Sequence, residues 1–157
     1  MLEIRALEEW TPQQRLEVAA LILNPKATQM SAEEREWVKE IPPEFIADHF
    51  ETAYSSASAV WLKGKCVLSC SIGVFPLPAF HFSHDGSLKR AEVVDVLTQF
   101  LDSQGRRVSA FTDRLAIGKW GAQHLGFHIV ADGIFNMGLG SRHYYLFARP
   151  SSKQASA

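Results

Sequence analysis

The chain is poor in the features that mark most specialised classes. No apolar run approaches the ~18 residues needed to span a bilayer; Ala19-Ala20-Leu21-Ile22-Leu23 is a typical short stretch. The N-terminus, Met1-Leu2-Glu3-Ile4-Arg5, lacks a basic region followed by an apolar one, so no secretory signal is expected. These two absences point to a cytoplasmic protein without a membrane role. Charge of one sign is also lacking: 16 Lys and Arg stand against 17 Asp and Glu, and the pI of about 6.6 argues against a nucleic-acid binder. Cysteine is scarce, with only Cys66 and Cys70, both in a run that reads as a strand. At strand rise their Cα atoms would lie roughly 13 Å apart, about twice the reach of a disulfide. Two reduced, half-buried thiols are expected.

What is present is ordinary for a globular domain. Apolar residues make up 46% and charged residues 21% of 157, which excludes disordered, collagen-like and coiled-coil chains and leaves enough material for one core. The charges are unevenly placed along the sequence. Residues 1–51 hold 11 acids and 5 bases, and residues 52–157 hold 6 acids and 11 bases. That division hints at an anionic ligand or partner on the second half, or at self-association.

Residues 3–7 alternate as a first strand. Thr11-Pro12-Gln13-Gln14 is a capping box with Pro at the first helical position, opening a helix that Asn24-Pro25 closes. Ser31-Ala32-Glu33-Glu34 caps an acidic helix through Trp37 and Val38, which Pro42-Pro43 interrupts. Glu44 to Ala53 resumes the helical period. Ser58 to Lys63 and Cys66 to Phe75 then read as strands around a tight turn at Lys63-Gly64-Lys65, and Ala79 to Ser83 as a third. Ser87 is placed to cap the helix that follows. Its apolar stripe is Val93, Val94, Leu97, Phe100 and Leu101, and Gly105 ends it. A strand at 107–111 precedes a helix capped by Thr112-Asp113, with Leu115, Ile117, Trp120 and Ala122 as its apolar side. Strands at 127–130 and 143–148 flank a glycine-bearing loop at 133–141. Residues 150–157 form a polar tail expected to be disordered.

Several local patterns look chemical and have plainer readings. His81 and His84 are three apart on a strand and so point to opposite faces. His124 and His128 have helical spacing, but Gly126 falls between them and no Glu follows His124 as a zinc-protease helix requires. No metal site is expected. Trp61 and Trp120 read as core or interface residues, and Gly138 to Arg142 as a hairpin connection. The aromatic tract from Phe75 to Phe82 reads equally as a buried strand or as an apolar wall for an acyl chain or a protein.

The order β, α, α, three antiparallel-type strands, α, β, α, β, β, with Leu125-Gly126-Phe127 closing the last helix, resembles the GNAT (Gcn5-related N-acetyltransferase) superfamily. The likeness covers residues 1–149, read as one domain, and is greatest to small acetyltransferase-like proteins of tailed phages, some of them associated with particle assembly. The resemblance implies an α/β (α+β) fold: a mixed, mainly antiparallel twisted sheet of about six to seven strands flanked by four helices. It also implies acetyl-CoA as cofactor and a small amine or a protein amine as acceptor.

Two departures from the family pattern bear on activity. The superfamily places Gln/Arg-x-x-Gly-x-Gly/Ala before the helix that binds the CoA pyrophosphate, where backbone N–H groups and the helix N-terminus cradle the anion. Here that stretch is Ser83-His84-Asp85-Gly86-Ser87-Leu88. Gly86 and Ser87, with Lys89 and Arg90 in the next turn, are the candidate phosphate ligands, and the backbone of Phe80 to Phe82 the candidate partner of the pantetheine arm. Many GNAT enzymes carry a Tyr, the general acid, five residues before the Phe of Leu-Gly-Phe; that position is Ala122 here. Tyr144, Tyr145 and His124 are the candidates to replace it. The resemblance therefore leaves two readings: an acyl-CoA-dependent N-acetyltransferase with a degraded cofactor loop, or a non-catalytic phage-type protein that binds a protein partner or itself. In the second case it would sit in the host cytoplasm or on the particle.

Overall fold

The computed structural model describes residues 2–74, 78–136 and 140–151. The chain folds as two units, residues 1–76 with 81–90, and residues 77–80 with 91–157. In the first, β1 (Leu2–Ala6), β2 (Tyr54–Leu62), β3 (Lys65–Gly73) and β4 (Phe80–His84) form a sheet in sequence order. β1 and β2 run antiparallel with Leu2 opposite Leu62 and Ala6 opposite Ser58. β2 and β3 are joined by a two-residue turn in which Lys63 and Gly64 both have positive φ (52° and 79°), the backbone that suits the right-handed twist of a hairpin. Cys66 and Cys70 both lie buried on β3 with free thiols.

Both capping boxes form. Thr11 and Gln14 exchange hydrogen bonds at the start of α1 (Pro12–Ile22), and Ser31 and Glu34 do so at α2 (Ala32–Val38). The expected helix over 44–53 divides into α3 (Pro43–Ala47) and α4 (Phe50–Ala53). The break comes at Asp48 and His49. His49 turns its Nδ1 onto the carbonyl of Phe45 at 2.6 Å, and Phe50 beyond it is completely buried. The strand after α4 also starts earlier than its alternation indicates, at Tyr54.

Three aromatic residues centre the core of this unit. Trp10 meets Phe50 edge to face at 5.3 Å and Trp61 at 6.4 Å, packed with Val18, Ala19 and Leu7. Each buried indole N–H finds an acceptor: Trp10 Nε1 donates to the Arg5 carbonyl at 2.9 Å and Trp61 Nε1 to the Glu17 carboxylate at 2.6 Å. Trp61 is thus a core residue.

In the second unit β7 (Ser141–Arg149) lies between β5 (Val108–Thr112) and β6 (His128–Asn136), antiparallel to both. Ala79 adds an isolated parallel bridge to Ser109. The helix α5 (Arg90–Ser103) buries Val93, Val96, Leu97, Phe100 and Leu101, so Val96 takes the place in the stripe expected of Val94. α5 begins at Arg90, two residues beyond where a Ser87 cap would start it. The apolar residues of α6 (Leu115–His124) are only partly covered. Gly118 is its one buried residue among those described, lying so close to the Phe147 ring that a Cβ there would overlap it. Arg149 ties the far end, donating from Nε to the Leu125 carbonyl at 2.7 Å and pairing with Asp102 at 2.7 Å. Residues 75–77 of the aromatic tract, 137–139 of the glycine-bearing loop and 152–157 of the tail lie outside the described residues, while Ser151 is buried.

Folding also redistributes the charge. The first unit holds twelve acids and nine bases, and the second five acids and seven bases, a milder division than the halves of the sequence suggest. Lys63, Lys65, Lys89 and Arg90 join the acidic N-terminal residues.

Two glycines of one helix are expected to respond in opposite directions. Gly118→Ala should cost about 1–3 kcal/mol by forcing Phe147 aside. In Gly121→Ala the new Cβ meets the Phe127 ring at an ordinary 3.5 Å, and the change should be neutral or add up to ~1 kcal/mol of helix propensity. Urea unfolding of the two variants checks both.

Candidate functional site

Strand order builds the loop that the sequence singles out. β4 neighbours β3, which brings the turn after β4 against the start of β3 although about twenty residues separate them in the chain. The Asp85 N–H donates to the Val67 carbonyl at 3.1 Å, and the His84 N–H to the Ala27 carbonyl at 3.0 Å. Ser83 is buried, with its hydroxyl 2.6 Å from that of Thr28. The backbone entering the loop is therefore held on two sides.

The loop then turns on Asp85. Its Oδ1 accepts from the Ser87 N–H at 2.9 Å, an Asx turn that places Gly86 at φ +85° between them. Its Oδ2 is buried and lies 3.4 Å from Lys65 Nζ. Burial pushes the Asp85 carboxyl upward, but the hydrogen bonds of Ser87 and the charge of Lys65 outweigh it and hold it below the usual aspartate value. The carboxylate is charged at neutral pH. Lys65 gave no signal in the sequence, because only the pairing of β3 with β4 brings it to Asp85.

This arrangement does not fit a pyrophosphate cradle. The Ser87 N–H, which such a loop would offer to a phosphate, is already taken by an internal anion. The charged Asp85 carboxylate lies on that same N–H and opposes the approach of a second anion to it. The helix N-terminus, which would complete the cradle, is set back to Arg90. Other parts remain compatible with a small ligand: Gly86 is exposed with open space beyond its Cα, Lys89 and Arg90 are exposed, and Leu88 is buried at 7% exposure rather than projecting from the loop.

The remaining candidates are distributed over both units. Phe82 stacks on His84 in the first, with ring centroids 6.0 Å apart. Phe80 belongs to the second, where it is buried against Phe127 at 5.9 Å and Phe100 at 6.2 Å. Its side chain is core, and only its backbone is available for strand-like pairing. Tyr144 and Tyr145 are adjacent on β7 and so lie on opposite faces of the sheet. Tyr144 stacks on Phe111 at 4.8 Å and Tyr145 sits beside His143 at 4.8 Å. His124 ends α6 beside Trp120, and Ala122 is exposed on the same helix. His81 and His84 share β4 three residues apart, and His128 opens β6 beyond Gly126 at φ +78°. Among the described residues no group of three or more His, Cys, Asp or Glu is placed to hold a metal ion, and no helix is long and apolar enough to cross a membrane.

The sequence matches no protein-family model and no curated protein sequence. By structure, 95 solved chains match. One is an acetyltransferase of the GNAT family from Streptococcus pneumoniae, with TM-score 0.60 and 15% identity over 97% of this chain and 100% of that one. Another is the ribosomal-protein-S18-alanine N-acetyltransferase of Escherichia coli, with TM-score 0.57 and 17% identity over 97% and 95%. A ribosomal L7/L12 α-N-protein acetyltransferase solved with coenzyme A matches with TM-score 0.60 and 14% identity over 96% and 94%. The chain thus has the fold of GNAT acetyltransferases, in the mixed, mainly antiparallel form that the resemblance implies, with six α-helices among the described residues rather than the four expected.

Two measurements test this site. Burial first, and then the nearby Glu17 carboxylate, push the Cys66 thiol up to about 12, and burial raises Cys70 as well. Neither should react with a thiol-directed disulfide reagent at pH 8 in the folded protein, and both should react in denaturant. Because folding lowers the Asp85 pKa, its contribution is present above the unfolded value of ~3.9 and is lost as pH falls through the folded value. Asp85→Asn should therefore melt below the parent protein near neutral pH, with the gap closing at pH below ~4.

Proposed function

We propose that this chain is a non-catalytic protein that uses the GNAT fold as a binding module for a protein partner or for a second copy of itself. The observation that carries this reading is the Asp85 carboxylate held on the Ser87 amide at 2.9 Å. An anion nest already filled by its own side chain has little affinity for an added phosphate, because binding would require breaking that bond and bringing two negative charges together. The Ala122 position supports the same reading, since a methyl group cannot donate a proton to a departing thiolate. The likeness to small tailed-phage proteins, some of them associated with particle assembly, supports a role of this kind in assembly.

One specific observation favours a second reading. Gly86 keeps the positive φ and open space that a phosphate loop needs, and Leu88 is buried rather than projecting. With Lys89 and Arg90 as cations, the loop would then serve an acyl-CoA-dependent N-acetyltransferase acting on a small amine or a protein amine.

Calorimetric titration of acetyl-CoA and of free CoA separates the two. The expected result is no heat up to ~1 mM ligand, with an unchanged melting temperature. Micromolar binding of either compound would overturn the non-catalytic reading and lead to a screen of amine acceptors.

A further inference from the structure

β6 is the outer strand of its sheet, paired with β7 along one edge only among the described residues. It runs nine residues, His128–Asn136, and all but Gly133 are exposed. The apolar residues on it are unusually open: Ile129 at 50%, Val130 at 40%, Ile134 at 73% and Phe135 at 47%. An edge of this kind offers a row of backbone donors and acceptors together with apolar side chains, and natural sheets usually blunt such an edge with Lys, Pro or a bulge. β6 has neither Lys nor Pro. Its one irregularity falls between Ile129 and Ala131, and from Ala131 to Asn136 the pairing with β7 is regular. Asp132 is its one acidic residue, and His143 Nε2 already lies 3.0 Å from that carboxylate.

We infer that β6 pairs antiparallel with β6 of a second copy about a two-fold axis through Ile134. The strand is self-complementary in that register. Ile134, its most exposed apolar residue, meets its own mate. Gly133 falls opposite Phe135, whose ring in its own strand stands 3.2 Å from where a Cβ on Gly133 would be, and whose counterpart approaches the same gap from the other side. Asp132 falls opposite Asn136, an amide that donates to a carboxylate, and symmetry makes two such pairs. A net charge of −1 on each copy opposes the encounter little. The other exposed aromatic residues, Trp37 and Phe45, lie in the acid-rich stretch 33–51 rather than on a sheet edge. This dimer is independent of whether the Gly86 loop binds a nucleotide.

Sedimentation equilibrium of the whole chain tests the inference. At ~100 μM, within the range of a modest strand-paired contact, the expected mass is twice 17.5 kDa. Ile134→Lys sets two ammonium groups against each other at the axis and should weaken the dimer at least tenfold. Asn136→Asp sets carboxylate against carboxylate and should weaken it several-fold. Asp132→Asn combined with Asn136→Asp restores the amide–carboxylate pairs and should recover the dimer. Position 134 is exposed enough that folding should survive, which thermal melting verifies, and the Asn136 variants carry the test if it does not. A parent protein that remains monomeric, or a dimer that Ile134→Lys and Asn136→Asp leave intact, overturns the inference.

Discussion

The carboxylate of Asp85 accepts from the backbone of Ser87 at 2.9 Å and sits 3.4 Å from the ammonium of Lys65, and the character of the loop after β4 follows from that pair of contacts. An Asx turn needs a hydrogen-bond acceptor inside the loop, whereas a phosphate cradle needs the same donor left open to an outside anion. The two uses of one N–H are mutually exclusive. With Lys65 close by, the internal acceptor stays ionised, so the local field that a bare helix-capping loop would offer to a phosphate is neutralised by the chain itself.

Much of the fold was legible because local chemistry and tertiary structure agree. Thr11 with Gln14 and Ser31 with Glu34 could be read as capping boxes and form both bonds. Lys63-Gly64 could be read as a turn and adopts positive φ at both residues. The stripe of α5 repeats every three or four residues and is buried nearly as its spacing indicates. The places where reading failed depend on long-range partners. The break between α3 and α4 falls just before Phe50, which is buried against Trp10 in a long-range contact that no local pattern encodes. The shallow cover of α6 goes with the contact of Gly118, its one buried residue among those described, with the ring of Phe147.

The candidate site was legible in outline only. The absence of the expected residues at Leu88 and Ala122 was visible as a departure from a pattern, and Asp85 could be seen as a charge of the wrong sign. Its hydrogen bond to Ser87 is a local property that the Asp-Gly-Ser order already favours. Its partner Lys65 was invisible, because it depends on β3 lying beside β4. The tyrosines illustrate the same limit from the other side. Tyr144 and Tyr145 are neighbours in sequence, yet the period of a strand sends them to opposite faces, so at most one of them serves any given site.

The most direct test of the occupied loop is the amide resonance of Ser87 in a proton–nitrogen correlation spectrum, followed across pH and then across added CoA. The resonance should shift as Asp85 protonates, with a midpoint below the ordinary aspartate value of ~3.9, and should stay in place at neutral pH when CoA is added. A Ser87 amide indifferent to acid and displaced by CoA would show that the donor is free for phosphate, and would contradict the account.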